Sequence, residues 1–261
     1  MWIDTHCHLD AAEFAADRDA VVAAAQAAGV TSIVVPAVET ANFAAVRDCC
    51  RRYSGCVAAY GIHPMYTPRA SDQDLPALRD WLARERPVAV GEIGLDFFVP
   101  GLDPERQLRF FVDQLKLARD FDLPVLLHVR RAVDPILREL RRYRPRGGIA
   151  HAFNGSRQQA EVFIELGFKL GFGGAMCWER ATRLRGLAAS LPREAIVLET
   201  DAPDIPPPFA PRMPPGGPLR NEPGLLPRIA ETLAAAWSIP LAEVAAITSC
   251  NATSILPNIT Q

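Results

Sequence analysis

The chain has 261 residues, 49% hydrophobic and 22% charged, an ordinary balance for a soluble folded protein and enough chain to bury a core without staples. Its formal net charge of −2 excludes a global positive field that would draw in nucleic acid, so any such substrate has to be gripped locally. Six cysteines without a C-x-x-C pair exclude a zinc ribbon and a thioredoxin motif, and the opening Met1-Trp2-Ile3-Asp4 has neither the basic region nor the apolar stretch of an export signal.

In chain order, short apolar runs alternate with longer amphipathic ones. Residues 3–8 are predicted as a strand and 17–28 as a helix ended by Gly29. Strands at 30–36, 56–62 and 88–93 are each followed by a helix, at 41–53, 74–84 and 104–121, the last begun by Pro104. The second half repeats the pattern with strands at 125–128, 148–151, 168–171 and 195–199. The helices that follow them are at 133–143, 157–166, 180–190 and 225–237, and an extra helix follows at 241–248.

Eight strand–helix pairs indicate an α/β fold, a single (β/α)8 TIM barrel over residues 1–261 with an extra C-terminal helix. An open doubly wound sheet is the alternative, but no G-x-G-x-x-G or Walker loop occurs. Residues 202–223 break the rhythm. Pro206-Pro207-Pro208 and Pro214-Pro215-Gly216-Gly217-Pro218 exclude regular structure, and a long loop after the eighth strand lies where substrate sites are shaped.

All five histidines, His6, His8, His63, His128 and His151, fall at or near the C-terminal end of a predicted strand, where barrel side chains converge on one pocket. Strand alternation puts His6 and His8 on one face, with Asp4 behind them and Cys7 opposite. Glu92 ends the fourth strand in Val90-Gly91-Glu92-Ile93-Gly94-Leu95-Asp96, an apolar setting where a carboxylate is costly unless paired or bound to a metal, and its two oxygens can bridge two cations. Asp96 either lines the substrate pocket or caps the next segment. His128 closes the run Pro124-Val125-Leu126-Leu127, and Arg130 shares its face if the strand continues. His151 lies in Ile149-Ala150-His151-Ala152-Phe153. Asp201 ends Val197-Leu198-Glu199-Thr200-Asp201 and reaches further than Glu199 to hold a metal and its water.

Four imidazoles with Glu92 and Asp201 make six ligands, whereas one catalytic zinc uses about three protein ligands and a water. Two divalent ions roughly 3.5–4 Å apart are therefore expected, with Zn, Mg or Mn all compatible with the donors. The arginines Arg138, Arg141, Arg142, Arg144 and Arg146 end a barrel helix and read as a solvated face away from the pocket. No apolar run is long enough to span a bilayer, and the thiols read as reduced, so a cytoplasmic protein with no membrane and no obligate protein partner is expected.

These stretches resemble the TatD family of metal-dependent deoxyribonucleases. The resemblance is carried in order by Ile3-Asp4-Thr5-His6-Cys7-His8, Gly61-Ile62-His63-Pro64, Gly91 to Asp96, Leu127-His128, His151 to Gly155, Leu198 to Pro203 and Arg220-Asn221-Glu222-Pro223. It implies that His6, His8 and Asp201 serve one metal, His128 and His151 the other, and that Glu92 bridges them. It places His63 against the substrate phosphate and has Arg220 and Asn221 shape the substrate site. The implied activity is hydrolysis of ester bonds, a phosphodiesterase acting on DNA, single strands or strand ends, in the 3′–5′ direction through a two-metal-activated water. Asp201, Glu92 and His63 would be catalytic, and His63, Asp96, Arg130, Arg220 and Asn221 would touch substrate.

The sequence departs from the family pattern at Ala152 and Asn154, in the proline-rich approach to Arg220, and in the ending Asn251-Ala252-Thr253-Ser254-Ile255-Leu256. The same ligands could serve hydrolysis of a small lactone, amide or phosphoester. Many barrels of that kind bridge their metals with a carboxylated lysine, and the only lysines here, Lys116 and Lys169, do not end a ligand-bearing strand. A binding protein that had lost catalysis would be expected to have lost ligands too.

Overall fold

The computed structural model describes residues 1–256, 258 and 259. Eight parallel strands pair in strict chain order: β1 (Trp2–Asp4), β2 (Val30–Pro36), β3 (Cys56–Tyr60), β4 (Ala89–Asp96), β5 (Val125–Arg130), β6 (Gly148–Ala150), β7 (Phe168–Phe172) and β8 (Ile196–Leu198). The seam between β8 and β1 is drawn together by backbone hydrogen bonds. Thr5 N–H donates to Leu198 O at 3.1 Å, Asp201 N–H to His6 O at 2.8 Å and His8 N–H to Ala202 O at 2.8 Å. The helices between the strands are α1 (Arg18–Ala27), α2 (Phe43–Arg52), α3 (Asp74–Glu85), α4 (Pro104–Asp120), α5 (Val133–Tyr143), α6 (Arg157–Glu165) and α7 (Thr182–Ser190), with α8 (Leu226–Trp237) after β8 and α9 (Leu241–Ile255) beyond it. The fold is the (β/α)8 TIM barrel with an added C-terminal helix.

Strands buried on both faces explain the unbroken apolar runs of the sequence. Their alternate residues sort into two cores. The larger lies between strands and helices. The smaller takes Ile3, Val34, Ala59, Ala89, Leu126, Ile149 and Val197, one from each of seven strands, and fills the barrel interior. Ala252, Leu256 and Ile259 join this inner cluster, so the C-terminal segment stoppers one end of the barrel and the site sits at the other.

Two boundaries differ most from the sequence reading. Strand β1 ends at Asp4 rather than at residue 8, because the chain turns there into the seam and only Cys7 keeps a lone bridge, to Ala202. Helix α9 runs to Ile255 rather than to 248. Its hydroxyl-rich second half bonds back to its own carbonyls, Thr248 Oγ1 to Val244 O at 2.9 Å and Thr253 Oγ1 to Ser249 O at 2.7 Å, so these hydroxyls are satisfied within the helix. Among the described residues no single helix is long and apolar enough to cross a membrane.

Asn251 fastens the stopper. Its Nδ2 donates to Arg193 O at 2.8 Å and Ile196 O at 2.7 Å, at the start of β8. Asn251→Ala leaves two carbonyls short of a donor and is expected to cost about 1–3 kcal/mol. The check is the urea unfolding midpoint. An unchanged midpoint would remove this residue from the account.

Candidate metal centre

Six of the eight strand ends deliver the site. The turn after β1 carries His6 and His8, the residues after β3 carry His63, β4 carries Glu92, β5 carries His128, and the segments after β6 and β8 carry His151 and Asp201. Five imidazoles face one carboxylate. Glu92 Oε2 lies 3.2 Å from His6 Nε2 and 3.5 Å from His8 Nε2. Its Oε1 lies 3.0 Å from His128 Nδ1, 3.0 Å from His151 Nε2 and 3.3 Å from His63 Nε2. Asp201 Oδ1 stands 3.6 Å from His6 Nε2 and 3.7 Å from His8 Nε2.

The surrounding hydrogen bonds settle which ring nitrogens carry lone pairs. Asp96 Oδ2 accepts from His128 Nε2 at 3.1 Å, leaving His128 Nδ1 as an acceptor aimed at the centre. His63 is the opposite case. Its Nδ1 accepts from Met65 N–H at 3.2 Å, so in the neutral ring Nε2 bears the proton and points a donor inward. His151 Nδ1 is buried without a hydrogen-bond partner, Glu199 Oε1 standing 3.7 Å away, while its Nε2 lies 3.0 Å from Glu92 Oε1.

Glu199 itself is held by Ala152 N–H. Its carboxylate occupies the space where a side chain on Gly171 would be, since a Cβ there would lie 2.1 Å from Glu199 Oε2. Behind His6, Asp4 accepts from His6 N–H at 3.2 Å and from Thr200 N–H and Oγ1–H at 2.9 and 2.6 Å, tying the two sides of the seam together.

Burial pushes His6 down to about 3 and His63 down to about 4, with Glu92 only partly opposing, so both rings are neutral at physiological pH. Burial would raise Glu92, but His63, His151 and His6 outweigh it and hold the carboxyl well below its usual range. His8 rises to about 9 because Glu92, Asp201 and Asp10 outweigh its burial. Burial lifts Asp201 to about 7 against the pull of His151 and His8.

The donor set fits divalent cations. His6 Nε2 and His8 Nε2 meet at 3.4 Å, close enough for one cation to engage both rings. Three groups of donors each lie within 4.8 Å of one another: His6, His8 and Asp201; His6, Glu92 and His151; and His63, Glu92 and His128. Neutral imidazoles with carboxylates suit Zn, and the carboxylates also suit Mg or Mn.

Above the cluster opens a cleft of about 1090 Å³, lined by His8, His63, Glu92, His128, His151 and Asp201 at its floor. Four residues around it hold left-handed backbone despite carrying a Cβ, Arg131 at φ 53°, Ala152 at φ 45°, Asp201 at φ 59° and Ile205 at φ 45°. Such strain of about 1–2 kcal/mol per residue persists only where neighbours over-determine it. For Asp201 the seam hydrogen bond to His6 O does so.

All seven residues read from strand ends therefore meet. The substrate contacts expected from the sequence divide. Arg130 lies on the cleft rim, exposed, with a guanidinium nitrogen 3.8 Å from Asp96 Oδ2. Asp96 is buried off the cleft. Its Oδ1 accepts from Phe98 N–H at 2.8 Å and Val99 N–H at 3.0 Å, so it caps the next segment while steering His128.

Arg220 and Asn221 also lie off the cleft, where they clamp the chain itself. Arg220 pairs with Asp17 and Glu222 at 2.7 Å each and donates to Glu13 O at 2.9 Å. Asn221 Nδ2 donates to Thr200 O at 2.6 Å and Asp204 O at 3.1 Å, pinning the proline-rich loop to β8. Sequence reasoning missed the supporting part of Glu199 and the rim residues Phe98 and Arg131. A double arginine after a ligand-bearing strand was the available signal.

The sequence matches the TatD-related DNase family over residues 3–257. It is 47% identical over 210 residues to YjjV of Escherichia coli, named an uncharacterized metal-dependent hydrolase, a match spanning 78% of this chain and 80% of that protein. It is 33% identical over 253 residues to the 3′–5′ ssDNA/RNA exonuclease TatD of the same organism, spanning 95% and 96% of the two chains. The crystal structure of Escherichia coli YjjV superposes with a TM-score of 0.91 at 39% identity, covering 98% of this chain and 97% of that one.

Proposed function

The chain belongs to the TatD-related DNase family of metal-dependent hydrolases, and from that premise we propose that it hydrolyses phosphodiester bonds of nucleic acid, working from the 3′ ends of single strands. The observation that carries the reading is the convergence of five imidazoles and Asp201 on Glu92 at the floor of an open cleft. The likeness to TatD over almost the whole length of both chains supports the substrate class.

In this reading His6, His8 and Asp201 hold one divalent ion, His128 and His151 the other, and Glu92 stands between them. When bound, the ions would supply Lewis acidity, withdrawing charge from the phosphoryl oxygens and making water acidic enough to give up a proton near neutral pH. The chain's own residues do the rest. Asp201 Oδ1, beside His6 and His8, orients the attacking water and takes its proton. His63 offers its Nε2–H, set by the bond from Met65, to a phosphoryl oxygen as negative charge develops there. Asp96 keeps the His128 ring turned so that its lone pair faces inward, and Glu199 stands beside the His151 ring. Arg130 reaches the phosphate from the rim.

The test is cleavage of end-labelled single- and double-stranded DNA and RNA after chelation and after readdition of Mg, Mn or Zn singly. Stepwise shortening of single strands from the 3′ end, abolished by chelation and restored by at least one ion, is expected. No cleavage under any of the ions would sink the proposal, and hydrolysis confined to small esters would redirect it.

A further inference from the structure

The rim of the cleft is polarised by the order of the strands. In an eight-stranded barrel the loops after β4, β5 and β6 stand opposite those after β8, β1 and β2. The first wall carries Phe98, Arg130 and Arg131, and behind them Arg183, whose guanidinium donates to Gly155 O at 3.1 Å and Asn154 O at 3.1 Å. The second wall carries Asp10, Glu13, Glu39 and Asp204; among the described residues only Glu39 of these forms an ion pair with an arginine, Arg69 at 3.0 Å. A polyanion lying across the floor is attracted to one side and repelled from the other.

The cationic wall is also built for stacking. Phe98 is a large apolar side chain left 44% exposed, and it faces the cleft. The Arg130 guanidinium carbon lies 3.9 Å from its ring centroid and that of Arg131 lies 4.6 Å away. The backbone accepts a left-handed residue, Arg131 at φ 53°, on the segment that brings this guanidinium over the ring. Among the described residues no carboxylate lies within 4 Å of the Arg131 guanidinium, so its charge is free for a ligand. Asp96 fixes the other partner by accepting from Phe98 N–H.

We infer that Phe98, Arg130 and Arg131 form the platform for the nucleotide next to the scissile phosphodiester, base against the aromatic and guanidinium faces and phosphate against Arg131, so that the strand leaves the cleft over β4–β6 and never over the acidic side. An aromatic ring with flanking guanidinium planes accepts any base, because every base presents a π face. A planar guanidinium meets a phosphate through two parallel N–H donors. The assignment rests on the phosphodiesterase reading above.

The test compares kcat/KM of the metal-loaded protein on a short single-stranded oligonucleotide with that on bis(p-nitrophenyl) phosphate, which has no neighbouring nucleotide. For Phe98→Ala the ratio of the two is expected to fall about tenfold, mostly through KM, and Phe98→Tyr is expected to restore it. For Arg131→Ala the oligonucleotide KM is expected to rise and its log–log salt slope to shrink by about one. Ratios and salt slopes within twofold of the parent, with both substrates still cleaved, would overturn the platform alone. If the parent protein cleaves neither substrate, the phosphodiesterase reading falls and takes the platform with it.

Discussion

Asp201→Asn lowers kcat on single-stranded oligonucleotides by roughly 10²–10⁴-fold, the range associated with removing a positioned acid–base group, while the protein keeps its fold. The substitution is nearly isosteric. Asparagine tolerates the left-handed conformation that Asp201 holds at φ 59°, and its N–H can still donate to His6 O across the seam. What disappears is the ability to take a proton. Burial raises the Asp201 carboxyl against the opposing pull of His151 and His8, and as a carboxylate it can accept a proton. An amide in the same place cannot. Single-turnover rates measure the loss, and a thermal melt verifies that the seam survives. Retention of parental turnover by this variant would remove Asp201 from the chemistry and leave it a cap on the barrel.

Glu92→Gln is expected to strike the metal content before it strikes the rate. The carboxylate is 2% exposed and five ring nitrogens lie within 3.5 Å of its oxygens, so its negative charge is the central counterweight of the cluster and of any cation held there. Glutamine preserves the shape and removes the charge. It also puts an NH₂ donor toward nitrogens that must present lone pairs. Affinity should fall by more than the roughly 10–100-fold that loss of an outer partner costs, and activity at fixed metal concentration should fall with it. Metal titration followed by calorimetry reads this without any turnover. Unaltered stoichiometry and affinity would show that Glu92 is a structural acid among histidines rather than the pivot of the centre.

The barrel and the floor of its site were open to inspection in the chain because both follow local rules. Six of the eight apolar runs end in a residue that is expensive to bury, and parallel strands in chain order bring those ends together whatever the loops do. The rest depended on contacts remote in sequence. Arg220 resembled a substrate contact until its partner proved to be Asp17, 203 positions away. Asn221 is absorbed in holding Thr200 and Asp204. The division of labour between His63 and His128 rests on which neighbour reaches the second ring nitrogen, Met65 in one case and Asp96 in the other, and nothing in their similar strand-end settings distinguishes the two. The length of α9 escaped for a related reason. Its second half is held by contacts remote in sequence, Ala252 packed into the inner cluster and Asn251 bonded to Arg193 O and Ile196 O.

The seam between the first and last strands also has a consequence in time. A ribosome has delivered all five histidines and Glu92 once residue 151 is made, yet Asp201 and the carbonyls that draw Thr5 and His8 into place come some fifty positions later. A nascent chain of seven strands thus carries most of the donors with no closed ring to gather them, and the site can assemble only after the eighth strand has emerged.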